Sequence, residues 1–172
     1  MNFEIVKTGY LRTNCYIMSK NNKVIVIDPA DEYHKIKEVI GDKEVVGVII
    51  THHHPDHVGA LEFFEGDLVY DYFNMEEGMN KIGPFEFEII YTPGHKEDSI
   101  SIYFKEDKKM ITGDFLFRNA IGRTDFPGGS MTEMINSLKK ISNYPADVEV
   151  YPGHGGSTTL GIELKNHEHI IK

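Results

Sequence analysis

Apolar residues recur along this chain in short runs closed by Gly, Pro, Asn or Asp, the pattern of β-strands linked by turns. The early runs are Phe3 to Val6, Cys15 to Met18 and Val24 to Ile27, with a hairpin turn predicted at Asn21-Asn22 and a stop at Asp28-Pro29. Later runs cover Val45 to Ile50, Leu68 to Tyr70, Phe85 to Tyr91, Ser99 to Phe104, Lys109 to Thr112 and Val148 to Tyr151. Helical spacing appears between them. Glu32 to Ile40 places Tyr33, Ile36, Val39 and Ile40 on one face before Gly41, and Met131 to Ile141 repeats the pattern. Helices are also predicted over Asp56 to Phe64, with Pro55 at the start and Gly66 after the end, and over Gly161 to Ile171. Strands outnumber helices in both halves, without repeats or linkers. The predicted architecture is an α/β (α+β) αββα sandwich of two mixed β-sheets flanked by helices, with residues 1–172 forming one domain.

The formal net charge of -9, with no Lys/Arg-rich run, argues against nucleic acid and anionic membranes as partners. No apolar segment approaches a membrane span and no secretory leader is visible, so a soluble cytoplasmic protein is expected. The lone cysteine, Cys15, excludes an intrachain disulfide and reads as a buried, inert thiol within a strand.

The chemistry concentrates at Thr51-His52-His53-His54-Pro55-Asp56-His57, directly after the run ending at Ile50. A structural role for so many imidazoles in one loop is uneconomical, because each buried ring needs its own partner. Metal ligation is the better explanation. In an extended segment alternate residues point the same way, so His52 and His54 can share an ion while His53 faces elsewhere. Asp56 and His57, beyond Pro55, turn toward a second position. Three further candidates follow predicted strands: His95 after Pro93-Gly94, Asp114 after Gly113, and His154 after Pro152-Gly153. Two divalent ions about 3.5–4 Å apart can share one carboxylate, and Asp114 suits that role. A closed structural zinc site normally has four ligands and often uses cysteine, which disfavours it here.

His-x-His-x-Asp-His with downstream Gly-His, Gly-Asp and Gly-His resembles the metallo-β-lactamase superfamily over nearly the whole chain. The resemblance implies that His52, His54 and His95 hold a first metal, that Asp56, His57 and His154 hold a second, and that Asp114 bridges them. Zinc is the expected ion, with iron or manganese as alternatives. The segments from Gly113 to Arg118, from Ile121 to Gly129 and around Pro152 to Gly155 resemble the short glyoxalase II-like branch, with a departure at Lys165 to His169. That branch implies a small-molecule thioester or related ester, attacked by a hydroxide bridging two metals, with Asp56 and Asp114 as the catalytic carboxylates. The helical extension that binds glutathione in longer relatives is not found before Lys172, so another thiol carrier is admissible.

Two alternatives stand beside this reading. One is a mononuclear iron persulfide dioxygenase of the same superfamily, for which the resemblance implies iron on His52, His95 and Asp114; the other is a non-catalytic metal-binding protein. Among neighbouring polar residues, Asp28 reads by position as a turn aspartate, whereas the resemblance implies a partner that orients a histidine ligand. Arg118 and Arg123 read as braces pairing with Asp125 or as contacts for a substrate carboxylate, Arg123 and Tyr91 as substrate contacts, and His167 and His169 as solvated side chains.

Overall fold

A computed structural model describes the whole chain, Met1–Lys172. One sheet runs in the order β1 (Asn2–Thr8), β2 (Thr13–Lys20), β3 (Lys23–Ile27), β4 (Glu44–Ile49) and β5 (Val69–Tyr70), antiparallel as far as β3 and parallel beyond. The other is built from β6 (Gly78–Ile82), β7 (Phe85–Tyr91), β8 (Ile100–Phe104) and β9 (Lys109–Gly113), which is followed by a small ribbon of β10 (Leu116–Phe117) and β11 (Ala120–Ile121). β12 (Glu149–Pro152) adds parallel to β9, and β13 (Thr158–Thr159) closes that edge. Both sheets are therefore mixed.

The period-two alternation of strand side chains sorts the apolar residues into three layers. Tyr16, Met18, Ile25, Ile27 and Ile49 of the first sheet meet Phe85, Phe87, Ile89, Ile102 and Ile111 of the second between the sheets. Their neighbours Cys15, Ile17, Val24 and Val26 face outward onto Ile36 and Ile40 of α1 (Tyr33–Ile40). On the opposite face Ile90, Met110 and Val150 pack under Met134, Leu138 and Ile141 of the later helix Met131–Ile141. These layers form the αββα sandwich, and no helix is long and apolar enough to cross a membrane. Central strands covered on both faces are why the runs are apolar throughout.

Several local readings change. The helix predicted over Asp56 to Phe64 is a short α2 (Pro55–Val58) followed by a 3₁₀ turn, Leu61–Phe63. Gly59 lies so close to α1's approach segment that a Cβ there would sit 2.2 Å from the Ala30 carbonyl oxygen, and Ala60 N–H donates to Pro29 O at 2.9 Å. Tertiary bonding thus ends the helix. Strand β6, Gly-Met-Asn-Lys-Ile, escapes the apolar pattern because it is a mostly polar edge strand. With α3 as Met131–Ile141, the C-terminal helix divides into α4 (Leu160–Asn166) and α5 (Glu168–Ile171). His167 at the break is buried, not solvated, and its Nδ1 donates to Glu163 O at 2.8 Å; His169 is exposed.

Candidate metal centre

The loops after β4, β7, β9 and β12 meet at one edge of the sandwich. Two backbone bonds join the sheets there: Ile100 N–H to Thr51 O at 2.9 Å and Asn14 N–H to Gly153 O at 2.7 Å. All seven residues singled out by the sequence converge in two groups, His52, His54 and His95 in one, and Asp56, His57, Asp114 and His154 in the other. Within each group the donor atoms lie within 4.8 Å of one another. In the first, His54 Nδ1 stands 3.1 Å from His52 Nε2 and 2.9 Å from His95 Nε2. In the second, His57 Nε2 is 3.3 Å from Asp114 Oδ1, while His154 Nε2 is 3.1 Å from Asp56 Oδ2 and 3.4 Å from Asp114 Oδ2. Asp114 Oδ2 also lies 3.7 Å from His95 Nε2, so this carboxylate borders both groups.

The second nitrogen of most of these rings is tied down, which aims the first. His57 Nδ1 donates to Asp28 Oδ2 at 2.8 Å, His95 Nδ1 to Arg123 O at 2.8 Å, and His154 Nδ1 to Leu11 O at 3.1 Å. His52 Nδ1 reaches Thr51 Oγ1 at 3.1 Å, and Thr51 in turn donates its N–H and hydroxyl to Asp28 at 2.8 and 2.7 Å. Such partners fix tautomer and direction in metal sites. Asp28, with φ 53°, is therefore the orienting partner of His57, the role the resemblance implies. His53 turns away from both groups. Its Nδ1 lies 2.7 Å from Asp98 Oδ2 and its Nε2 3.2 Å from Asp71 Oδ2.

The residues fit divalent ions by a specific test. His57 Nε2 and Asp114 Oδ1 are buried and face each other at 3.3 Å without forming a well-aligned hydrogen bond, a costly arrangement for ordinary protein groups. Both point to the same place, and imidazole with carboxylate is a suitable donor set for zinc, iron or manganese. Backbone clearance is equally specific. A Cβ on Gly153 would lie 2.2 Å from Asp114 Oδ1 and 2.7 Å from His57 Cε1.

Electrostatics divide the two groups. Burial and the neighbouring rings push His52 down, and burial does the same to His54, so both of these rings favour the neutral form. Burial also opposes a charge on His57, but Asp28 and Asp114 outweigh it and push the ring up to about 10. Asp114 and Asp56 raise His154 to about 9. Asp56 is held at about 2 by its hydrogen bond with His154, and Asp114 is held well below the carboxylate range because His154 and His57 overcome its burial. Without ions, the second group keeps two protons at neutral pH.

A cavity of about 270 Å³ opens above the donors, walled by Leu11, Phe117, Phe126 and Arg123. The Arg123 guanidinium bonds both oxygens of Asp125 at 2.8 Å and stacks 3.7 Å over Phe126, so it braces the loop. Arg118 is exposed and does not pair with Asp125; it faces Ser157 and Thr158. Tyr91 turns its hydroxyl to Met75 O at 2.7 Å and is not part of the cavity wall. Asn14 was not legible in the sequence; its Nδ2 bonds Pro152 O at 2.9 Å and Gly155 O at 3.1 Å and so steadies the His154 loop. Its partners are too distant along the chain for any local pattern to reveal.

Mixed sheets with histidines and aspartates gathered on strand-end loops are the framework of a metallo-hydrolase. The chain belongs to the metallo-beta-lactamase superfamily, whose family profile matches residues 8–74 and 76–154. The hydroxyacylglutathione hydrolase GloC of Haemophilus influenzae is 30% identical, with 97% of each chain covered. Among solved structures, the BLEG-1 B3 metallo-beta-lactamase superposes with a TM-score of 0.91 at 25% identity, covering 99% of this chain and 100% of that one. TTHA1623, in a di-iron-bound form, superposes with a TM-score of 0.83 at 30% identity, covering 95% and 98%.

Proposed function

We propose that the protein is a dinuclear metallohydrolase that cleaves a small thioester or related ester. His52, His54 and His95 would hold one ion, Asp56, His57 and His154 the other, and Asp114 would lie between them. The observation that carries this reading is the pair of buried, unpartnered atoms His57 Nε2 and Asp114 Oδ1 at the meeting point of seven donors. When bound, two such ions supply Lewis acidity toward a carbonyl oxygen and lower the pKa of a water to near 7.

The protein's own residues do the rest. Asp56 and Asp114 remain ionised at neutral pH, so both carboxylates are available to hold the ions, and their depressed pKa values make them weak bases toward the nucleophile's proton. Leu11, Phe117 and Phe126 offer apolar surface to the substrate at the cavity wall. A protein nucleophile is not required. Cys15 is fully buried, and desolvation raises its thiol well above its ordinary value, so it serves the core. A thioester suits this site because a thiolate leaves without a strong general acid, and no side chain here is arranged as one. The likeness to GloC supports a thioester, and the likeness to TTHA1623 supports two ions and makes iron a competitor of zinc.

The test is metal content on anaerobically purified protein, with hydroxyacyl-glutathione hydrolysis, β-lactam hydrolysis and persulfide-dependent oxygen uptake measured on the same sample. Two ions per chain with thioester turnover that a chelator abolishes and added metal restores is the expected result. One iron with oxygen uptake would make the protein a dioxygenase. A two-ion protein that cleaves no thioester or ester would overturn the hydrolase reading.

A further inference from the structure

Asp98 is a carboxylate with only 1% exposure that takes no part in either donor group. Its side-chain contacts lie on the two loops that carry His52, His54 and His95. Oδ2 accepts from the His53 backbone N–H at 3.1 Å and from His53 Nδ1 at 2.7 Å, and Oδ1 accepts from Lys96 Nζ at 2.9 Å. His53 stands between two members of the trio and Lys96 directly follows the third. Fixing both the backbone and the ring of His53 fixes the residues on either side of it, and Asp71 holds the ring from its other nitrogen at 3.2 Å.

Burying a carboxylate is expensive unless its oxygens are well occupied, and these oxygens are occupied by the two loops that must stay in register. The second donor group is steadied by different residues, Asp28 at His57 and Asn14 beside His154. Asp28 also reaches His52 through the Thr51 hydroxyl, but Asp98 bonds neither Asp28 nor Asn14, so a change at Asp98 leaves the supports of the second group in place.

We propose that Asp98, acting through His53, is a positioning residue that holds His52 and His54 at the correct distance and angle from His95. The proposal rests on the reading of those histidines as ligands. In Asp98→Asn one oxygen becomes an NH₂ group, so either Lys96 or the His53 N–H faces a donor instead of an acceptor. His53→Leu removes the ring while leaving the carboxylate its backbone N–H and Lys96, and provides a second variant should the first fail to fold.

The experiment is a chelator-competition titration of zinc into folded, metal-free wild type and both variants, with the visible spectrum of the cobalt-loaded forms as a second readout. Orienting partners of metal ligands are commonly worth about 10–100-fold in affinity. One binding step is expected to weaken by that factor, with a changed cobalt spectrum, while the other step stays at its wild-type value. A merely structural Asp98 would lower the unfolding midpoint and leave both steps alone. Two wild-type steps persisting in both variants overturn the role of Asp98 only. A wild-type chain that holds no ion on the trio overturns the two-metal reading, and this inference with it.

Discussion

Metal-free protein should lose stability as pH rises from 7 to 9, and metal-loaded protein should gain it. The cause is His57, whose side chain is fully buried beside Asp28 and whose pKa rises from 6.5 to about 10 on folding. A group with a raised folded pKa contributes stability that is fully present below 6.5 and is lost as pH climbs toward 10. Integrating between pH 7 and 9 with one pKa unit worth about 1.36 kcal/mol, His57 alone accounts for a loss on the order of 2–3 kcal/mol. For a chain of this size that is a fall of about 5–10 °C in melting temperature. His154, raised to about 9 but one-quarter exposed, adds a smaller loss of the same sign. Bound ions take the place of these protons, so their affinity grows with pH and reverses the slope. Urea titrations of chelator-treated protein at pH 7, 8 and 9, with and without zinc, read both slopes. Asp28→Asn, which removes a main source of the raised pKa, should flatten the metal-free profile. A metal-free wild type whose stability is level or increases over this window would refute the charge assignment.

Three other outcomes are expected. Gly153→Ala forces a Cβ to within 2.2 Å of Asp114 Oδ1; the repacking should cost about 1–3 kcal/mol in urea unfolding and remove the ion of the second group from metal analysis. Asp114→Asn leaves His57 Nε2 facing an amide, and steady-state thioester hydrolysis should drop by more than about 100-fold, a larger loss than an orienting partner causes. Asn14→Ala removes one donor each from Pro152 O, which keeps the Tyr16 hydroxyl, and from Gly155 O, and thermal unfolding should show a loss of about 1–2 kcal/mol.

What could be read from the sequence depended on how local each signal was. Apolar strands such as β3 and β8 declare themselves because burial on both faces demands apolar residues throughout. β6 does not, since an edge strand can be polar and is defined by its pairing with β7. The seven donors were legible because four cluster in one loop after β4 and His95, Asp114 and His154 each follow a glycine near a strand end. Their supports were less so. Asp28 was visible as one of two roles, but its choice depends on Thr51 and His57 across a loop. Asp98 and Asn14 look like ordinary polar residues until folding brings them to partners 45 and 138 positions away. His167 misled for the same reason, because its burial is produced by the break between α4 and α5.

The division of the donors between sheets links the chemistry to the stability of the fold. His52, His54, Asp56 and His57 follow β4 of the first sheet, whereas His95, Asp114 and His154 follow strands of the second. Each of the two groups draws on both sheets, so an ion in either position would bind the halves of the sandwich together. Bare, the edge holds unpartnered polar atoms, which weaken it relative to the apolar layer between the sheets. An ion at 100 times its dissociation constant stabilises the folded state by about 2.7 kcal/mol, comparable to the pH-dependent loss attributed to His57. Local opening of the metal-free protein should therefore begin at this edge and leave the central strands protected. Hydrogen exchange would show faster exchange at Thr51 and Gly153 than at Ile25 and Ile102 without metal, with the difference reduced when metal is added. Equal protection at the edge in both forms would separate the site from the stability of the sandwich.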